Sequence, residues 1–108
     1  VQRRGEDLWV GGRKIAGSGA ATIGRAAVVA SSFLMRFPAR RFADSVAVPS
    51  DAFRATLRRA LPRAMTDWCE QGTPPTEVAL RAAFLVGLRE TLGWHAMPSR
   101  LRDAERAA

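Results

Sequence analysis

Positive charge in this chain is carried by arginine with one exception: among 17 Lys and Arg residues, Lys14 is the single lysine. It lies in the run Gly11-Gly12-Arg13-Lys14-Ile15-Ala16-Gly17-Ser18-Gly19, among four glycines. Arginine is a rigid planar fork, whereas lysine is a compact point charge on a flexible stem that can follow one oxygen through a reaction. On an extended strand side chains alternate, so Lys14, Ala16 and Ser18 are expected on one face and Arg13, Ile15 and Gly17 on the other. A lysine flanked by small residues leaves an anionic ligand a clear approach, and Gly17 and Gly19 let a backbone come close to it. A carboxylate or phosphate suits such a place. The charge-assisted hydrogen bond is worth roughly 1.5 to 3 kcal/mol in a ground state, and more where charge develops on the oxygen during reaction. Read from spacing alone, an ordinary glycine turn with a solvated lysine is the commoner arrangement.

Other residue types with chemical potential are isolated. Cys69 stands beside Trp68 near the expected end of a helix, and a lone cysteine is most often a small packing residue. His95 follows the last long helix with no cluster of histidine or cysteine around it, whereas a metal site needs three or four converging ligands. No metal site is expected. Trp9 and Trp94 read as core or pocket-wall residues. Arg54, Arg58, Arg59 and Arg63 read as a solvated helix face, with an acidic partner surface as the alternative.

The elements that must position Lys14 follow from turn chemistry and hydrophobic spacing. Asp7 to Val10 and the strand beginning at Arg13 are separated by Gly11-Gly12, which supplies the positive φ that tight hairpin turns require. A second break at Gly24-Arg25 precedes AAVVASSFLMRF, a strand-like run. Residues 6 to 37 therefore read as a three-stranded antiparallel meander, with an unpaired edge at Asp7 to Val10 open to a further strand. Pro38 ends it, and residues 39 to 46 read as a short helical turn. Ser50 caps the next helix with Asp51 in its first turn. Phe53, Leu57, Leu61, Met65 and Trp68 form one stripe of that helix, and Pro62 predicts a kink or two shorter helices. After Gly72, Thr73 is the expected cap of a second helix with Pro74 at its first position. Leu80, Ala83, Phe84, Leu88 and Leu92 supply its buried face, and Gly93 ends it. The closing residues, 99 to 108, read as a frayed polar tail. Strands followed by two or three helices predict an α+β fold.

Length and composition bound the rest. A chain of 108 residues with 47% hydrophobic content accommodates one modest core. It holds no apolar run of the roughly 20 residues that span a bilayer and no secretory leader. A single cysteine fits a reducing compartment, and the cytoplasm is the expected location. The net charge of +7 raises nucleic acid as a partner, but the arginines are scattered, and a basic balance is only an electrostatic footprint.

The run RRGEDLWVGGRKIAGSG, residues 3 to 19, resembles the central motif of the lipoate-protein ligase and octanoyltransferase family. In that family an Asn-Asp-Leu strand leads through a short turn to a (G)RKxxGS segment. Asp7, Leu8, Gly12, Arg13, Lys14, Ile15, Gly17 and Ser18 carry the likeness; Glu6 stands where the ligases commonly have asparagine. The following AAVVASSFLMRF is similar in place and character to the family's next strand. Biotin-protein ligases share the fold but typically have a Lys-Trp-Pro-Asn-Asp lead-in, so the lipoate side fits better.

The resemblance implies a biotin/lipoate ligase-like, class II synthetase-like domain, with residues 1 to 98 its C-terminal portion. It implies that Lys14 is catalytic, contacting the acyl carbonyl and the α-phosphate of an acyl-adenylate, and that Asp7, Arg13, Gly17, Ser18 and Gly19 bind substrate or adenylate. ATP and Mg²⁺ would be substrates of the parent enzyme, with lipoate or octanoate as the acyl group. The acceptor would be a lysine on the lipoyl carrier domain of a 2-oxoacid dehydrogenase or on a glycine cleavage H protein. The family's upstream acyl-binding half has no counterpart here, so a missing N-terminal half or a partner chain is expected to complete the enzyme. A non-catalytic basic module, a biotin ligase and a cofactor-free octanoyltransferase remain the alternatives.

Overall fold

A computed structural model describes residues 1 to 107. The chain forms two compact units, Val1–Pro74 and Pro75–Ala108. The fold is α+β: a four-stranded antiparallel sheet followed by helices.

The first unit opens with β1 (Gln2–Arg4), β2 (Asp7–Val10), β3 (Arg13–Ile23) and β4 (Ala26–Phe33), in sheet order β1-β2-β3-β4. The meander has one strand more than expected. β1 pairs antiparallel with β2, Gln2 opposite Trp9 and Arg4 opposite Asp7, so the edge expected to be free at Asp7 to Val10 is already covered. Gly11 and Gly12 adopt φ of 55° and 76° and make the two-residue turn between β2 and β3. β4 stops at Phe33, and residues 34 to 37 leave the sheet.

Three helices complete this unit: α1 (Ala39–Ser45), α2 (Asp51–Ala64) and α3 (Trp68–Gln71). Ser50 caps α2 as the sequence indicates, its hydroxyl accepting from the Phe53 N–H at 3.1 Å. Two of the four α2 arginines do more than face solvent. Arg54 donates to the carbonyls of Ala43 and Val46 at the end of α1, and Arg58 pairs with Asp44 at 2.6 Å. α1 and α2 are thereby tied across the fully buried Ala43.

α2 does not break at Pro62. It runs two residues further, to Ala64, because a proline this close to the C-terminal end disturbs only the last turn. The break comes at Met65, where the chain turns extended and forms a one-residue parallel bridge with Lys14. Trp68 therefore lies on α3 and not on the α2 stripe, and Phe53 is half exposed.

Among the described residues the buried apolar side chains are Ile15, Ala16 and Ala43. This core is smaller than the composition suggests. From Ser18 to Ser32 every residue of the β3–β4 hairpin is exposed, with Ile23 67% and Val29 75% exposed. The hairpin's side chains alternate between two faces, and neither face is covered there.

The second unit is built on α4 (Glu77–Leu92), with a short α5 (Asp103–Arg106) in the stretch expected to fray. α4 begins three residues later than the sequence indicates. Thr73 is followed by Pro74-Pro75, and a residue before proline is driven away from helical geometry, so the cap moves to Thr76, whose hydroxyl accepts from the Ala79 N–H at 3.1 Å. Gly93 closes the helix at φ 66°, its N–H donating to the Arg89 carbonyl while the Trp94 N–H reaches back to Leu88. No residue of α4 is buried: Phe84, Leu85, Val86 and Leu92 are exposed, as is Trp94. The expected buried face of this helix is therefore not found, and Trp94, read as core or pocket wall, is exposed on the wall of a small cleft with Leu85, Val86 and Arg89. No helix among the described residues is long and apolar enough to cross a membrane.

Candidate functional site

The surroundings of Lys14 are set by a register change between β2 and β3. Trp9 pairs with Lys14 and Val10 with Arg13, but Leu8 pairs with Ala16, one residue out of step. The extra residue, Ile15, is a bulge on β3, and it reverses the alternation of side chains beyond it. Lys14 therefore shares its face with Asp7, Trp9 and Gly17, and not with Ala16 and Ser18 as strict alternation predicts. Ile15 itself is 1% exposed and anchors the bulge in the core.

On that face the Lys14 Nζ lies 2.9 Å from the Asp7 Oδ1. Both side chains are roughly 30% exposed, so the pair is partly shielded yet open to an incoming group. The lysine stem crosses directly over Gly17. A Cβ at Gly17 would stand 2.9 Å from both Cε and Nζ of Lys14 and 3.3 Å from Asp7 Oδ1. Only a residue without a side chain lets the ammonium lie in this groove between β2 and β3. Gly17→Ala is expected to lift the ammonium off Asp7. Because the chain has a single lysine, a ¹³C-lysine-labelled sample reports on this side chain alone. The contact between the Lys14 ε-protons and the Asp7 β-protons should disappear in the variant, and its persistence would refute the packing described.

Trp9 forms the wall beside the pair. Its ring lies 5.3 Å beneath the Arg4 guanidinium, and its indole N–H is buried with no partner among the described residues. The site face thus carries two cations, Arg4 and Lys14, around one carboxylate, a balance that favours an anionic ligand.

The remaining sequence-derived residues divide. Arg13 faces away from Lys14, toward the helices. Its guanidinium donates to the Pro62 carbonyl at 3.2 Å and pairs with Glu70 at 2.6 Å. Ser18 is on the sheet face opposite Lys14, where its hydroxyl meets that of Ser31 at 2.8 Å. There it lines an open groove of about 420 Å³ with Arg3, Leu8, Gly19, Ala20 and Val29. The structure brings Asp7, Lys14 and Gly17 together and leaves Arg13, Ser18 and Gly19 outside that cluster. Cys69 sits on α3, where its backbone N–H donates to the Met35 carbonyl at 3.1 Å. His95 is exposed, and no group of three or more His, Cys, Asp or Glu among the described residues could hold a metal ion.

The segment between α2 and α3 contains residues that motif reading passes over. The Thr66 N–H donates to the Lys14 carbonyl at 2.9 Å. Asp67, 8% exposed, accepts from the Phe37 N–H through Oδ2 and from the Glu70 N–H through Oδ1, both at 2.7 Å. It caps α3 and at the same time holds the strand-to-helix turn that follows β4. An Asp directly before a helix start, as Asp67 is before Trp68, is a cap signal in sequence, but the preceding hydrophobic stripe reads as continuous helix and hides it.

The Phe37 N–H bond, opposed in part by burial, holds the Asp67 carboxyl below its ordinary value of 3.8. The bond from Arg13, joined by that from Thr66, holds Glu70 below its ordinary 4.5. Both folded values lie under the unfolded ones, so their stabilisation is complete above the unfolded values and is lost as pH falls through the folded ones. Thermal melting is expected to be flat above about pH 5 and to fall steeply below about pH 4. Asp67→Asn should flatten that fall.

These features define an α+β domain whose bulged strand presents one lysine, paired and groove-bound, beside an aromatic wall. The same fold occurs in a component of a lipoate protein ligase system. A chain of the solved archaeal lipoylation system from Thermoplasma acidophilum, a bi-partite lipoate protein ligase and its E2 lipoyl domain, superposes with a TM-score of 0.79 at 20% identity over 97% of this chain. The match covers 42% of that chain, so the present chain spans less than half the length of its structural neighbour. No protein-family model matches the sequence, and no curated protein does.

Proposed function

We propose that this chain carries the acyl-handling lysine of a lipoate-protein ligase-like acyltransferase. The carrying observation is the Lys14 ammonium seated over Gly17 against Asp7, on the bulged strand of a fold shared with a lipoate ligase component. In this reading the carboxylate of lipoate, or octanoate, first attacks the α-phosphorus of ATP, the α–β anhydride bond breaks, and pyrophosphate departs with Mg²⁺ to leave an acyl-adenylate. Lys14 then leaves Asp7 for the acyl carbonyl and the adjacent phosphate.

The neutral amine of a carrier-domain lysine attacks the acyl carbon. An amide C–N bond forms, the C–O bond to phosphate breaks, AMP departs with the bonding pair, and the amine proton passes to solvent. Negative charge gathers on the carbonyl oxygen and then on the phosphate, both within reach of one flexible ammonium. Such placement of a fixed cation against developing charge is commonly the largest single contribution to catalysis. A complementary portion, in the same polypeptide or a partner chain, supplies the rest of the acyl and nucleotide site.

The test is a donor panel. The polypeptide or subunit set that includes this chain is incubated with a lipoyl carrier domain and with lipoate, octanoate or biotin plus ATP and Mg²⁺, or with an octanoyl thioester alone. Intact-mass analysis reads the acylated carrier. Modification by lipoate that requires ATP is the expected result. Transfer from the thioester without ATP would make the protein a transferase, and modification by none of the donors would refute the reading.

A further inference from the structure

Arg13 is adjacent to the lysine in sequence but not in space, and its contacts form a closed circuit back to Lys14. The Arg13 guanidinium pairs with Glu70 Oε1 at 2.6 Å. Glu70 Oε2 accepts from the Thr66 hydroxyl at 3.0 Å, and that hydroxyl accepts from the Gln71 amide at 2.8 Å. The Thr66 N–H closes the circuit on the Lys14 carbonyl at 2.9 Å. Thr66 is 1% exposed, so this linkage is largely shielded from water at its centre. A second Arg13 bond, to the Pro62 carbonyl, occupies an acceptor left over at the end of α2.

We infer that Arg13, Glu70 and Thr66 act as a clasp that positions Lys14, and that Arg13 is a positioning residue with no contact to substrate. β2 holds the Lys14 backbone on one side, but β4 pairs with β3 only from Ala16 onward, so on the other side the bulge is held by the bridge to Met65. The Lys14 carbonyl has the Thr66 N–H as partner, and Thr66 is fixed from the other side by Glu70 and Gln71. Loosening this circuit lets the bulge shift, and the ammonium loses its seat over Gly17. A displacement of about 1 Å at a reacting group costs on the order of a hundredfold in rate.

The functional half of this inference rests on the acyltransfer reading, while the structural half does not. Two near-isosteric variants of the full chain test it, Glu70→Gln and Thr66→Val, each first shown to remain folded by its amide spectrum. In ¹³C-lysine-labelled protein, both are expected to weaken the contact between the Lys14 ε-protons and the Asp7 β-protons. Hydrogen exchange of the Thr66 amide should rise at least tenfold. In the transfer assay kcat should fall about ten- to a hundredfold with KM for the carrier domain unchanged. The double variant should cost less than the product of the single effects, because either one opens the same circuit. Folded variants with unchanged Lys14 contacts and unchanged Thr66 exchange would overturn the inference. If the lysine contacts change while Lys14→Ala leaves transfer intact, the clasp stands and the acyltransfer reading falls.

Discussion

Lys14→Ala is expected to lower acyl transfer by about 10² to 10³ in kcat while leaving the first unit folded. On the proposed function, the loss follows from removing the cation beside the oxygen where charge accumulates. The tolerance of the fold follows from the exposure of the pair: Lys14 and Asp7 are each roughly 30% exposed at a 2.9 Å separation, and such surface pairs contribute at most about 1 kcal/mol. Lys14→Arg is not expected to restore activity. The groove over Gly17 admits a slender stem, with 2.9 Å from a hypothetical Cβ to the lysine terminus, and a planar guanidinium neither fits there nor tracks a single oxygen. Rates from purified variants, together with their melting curves, separate this from a folding defect. A Lys14→Arg variant at wild-type rate would mean that charge alone suffices.

Asp67→Ala has the largest expected effect on stability, a loss of about 3 kcal/mol. One carboxylate here holds two backbone donors, Phe37, 30 residues before it in sequence, and Glu70, 3 residues after it. Removing it uncaps α3 and frees the turn after β4, whose neighbours Leu34 and Met35 accept from the Trp68 and Cys69 amides. The same turn donates from Leu34 to the Ile15 carbonyl, so the damage reaches the bulge that seats Lys14. With Ile15, Ala16 and Ala43 as the buried apolar residues among those described, little hydrophobic burial remains to offset the loss. Urea unfolding of the Ala and Asn variants measures it: the Asn variant should retain part of the stability by keeping one acceptor, and equal stability of Ala and wild type would contradict the described role.

How much of this was legible in the sequence depends on the range of the interaction that decides each feature. The Gly11-Gly12 turn and the Ser50 cap are local, and residue chemistry alone places them. The strand β1 escaped because Gln2-Arg3-Arg4 carries no apolar signal; its pairing with β2 makes it a strand. The bulge at Ile15 was not legible, since a β-branched residue in a strand gives no sign that it is the extra one. That single residue moves Gly17 beside Lys14 and Ser18 away from it. The end of α2 at Met65 was hidden by an apolar spacing that continues to Trp68, and it is decided by a hydrogen bond from Thr66 to Lys14 across 52 positions. Pro74-Pro75 displaced the cap of α4 because two successive prolines restrain the residues before them more than one does.

The likeness of RRGEDLWVGGRKIAGSG to the lipoate ligase motif named the right fold, and its residue roles divide in space. Asp7, Lys14 and Gly17 form one cluster, while Arg13 belongs to the clasp and Ser18 to the opposite face. Motif spacing assumes regular alternation, which the bulge cancels. The extensive exposure of the β3–β4 hairpin and of α4 was not legible either, because composition reports how much apolar surface a chain has and not what covers it.

The most direct test of the central claim is single-turnover transfer from preformed lipoyl-adenylate to a carrier domain, comparing wild type with Lys14→Ala in the polypeptide or subunit set that includes this chain. Preformed adenylate isolates the step in which the ammonium is proposed to act. A rate lower by about two orders of magnitude in the variant, with adenylate still bound, is the predicted result. Equal rates would contradict the account, because no oxygen charge would then depend on Lys14.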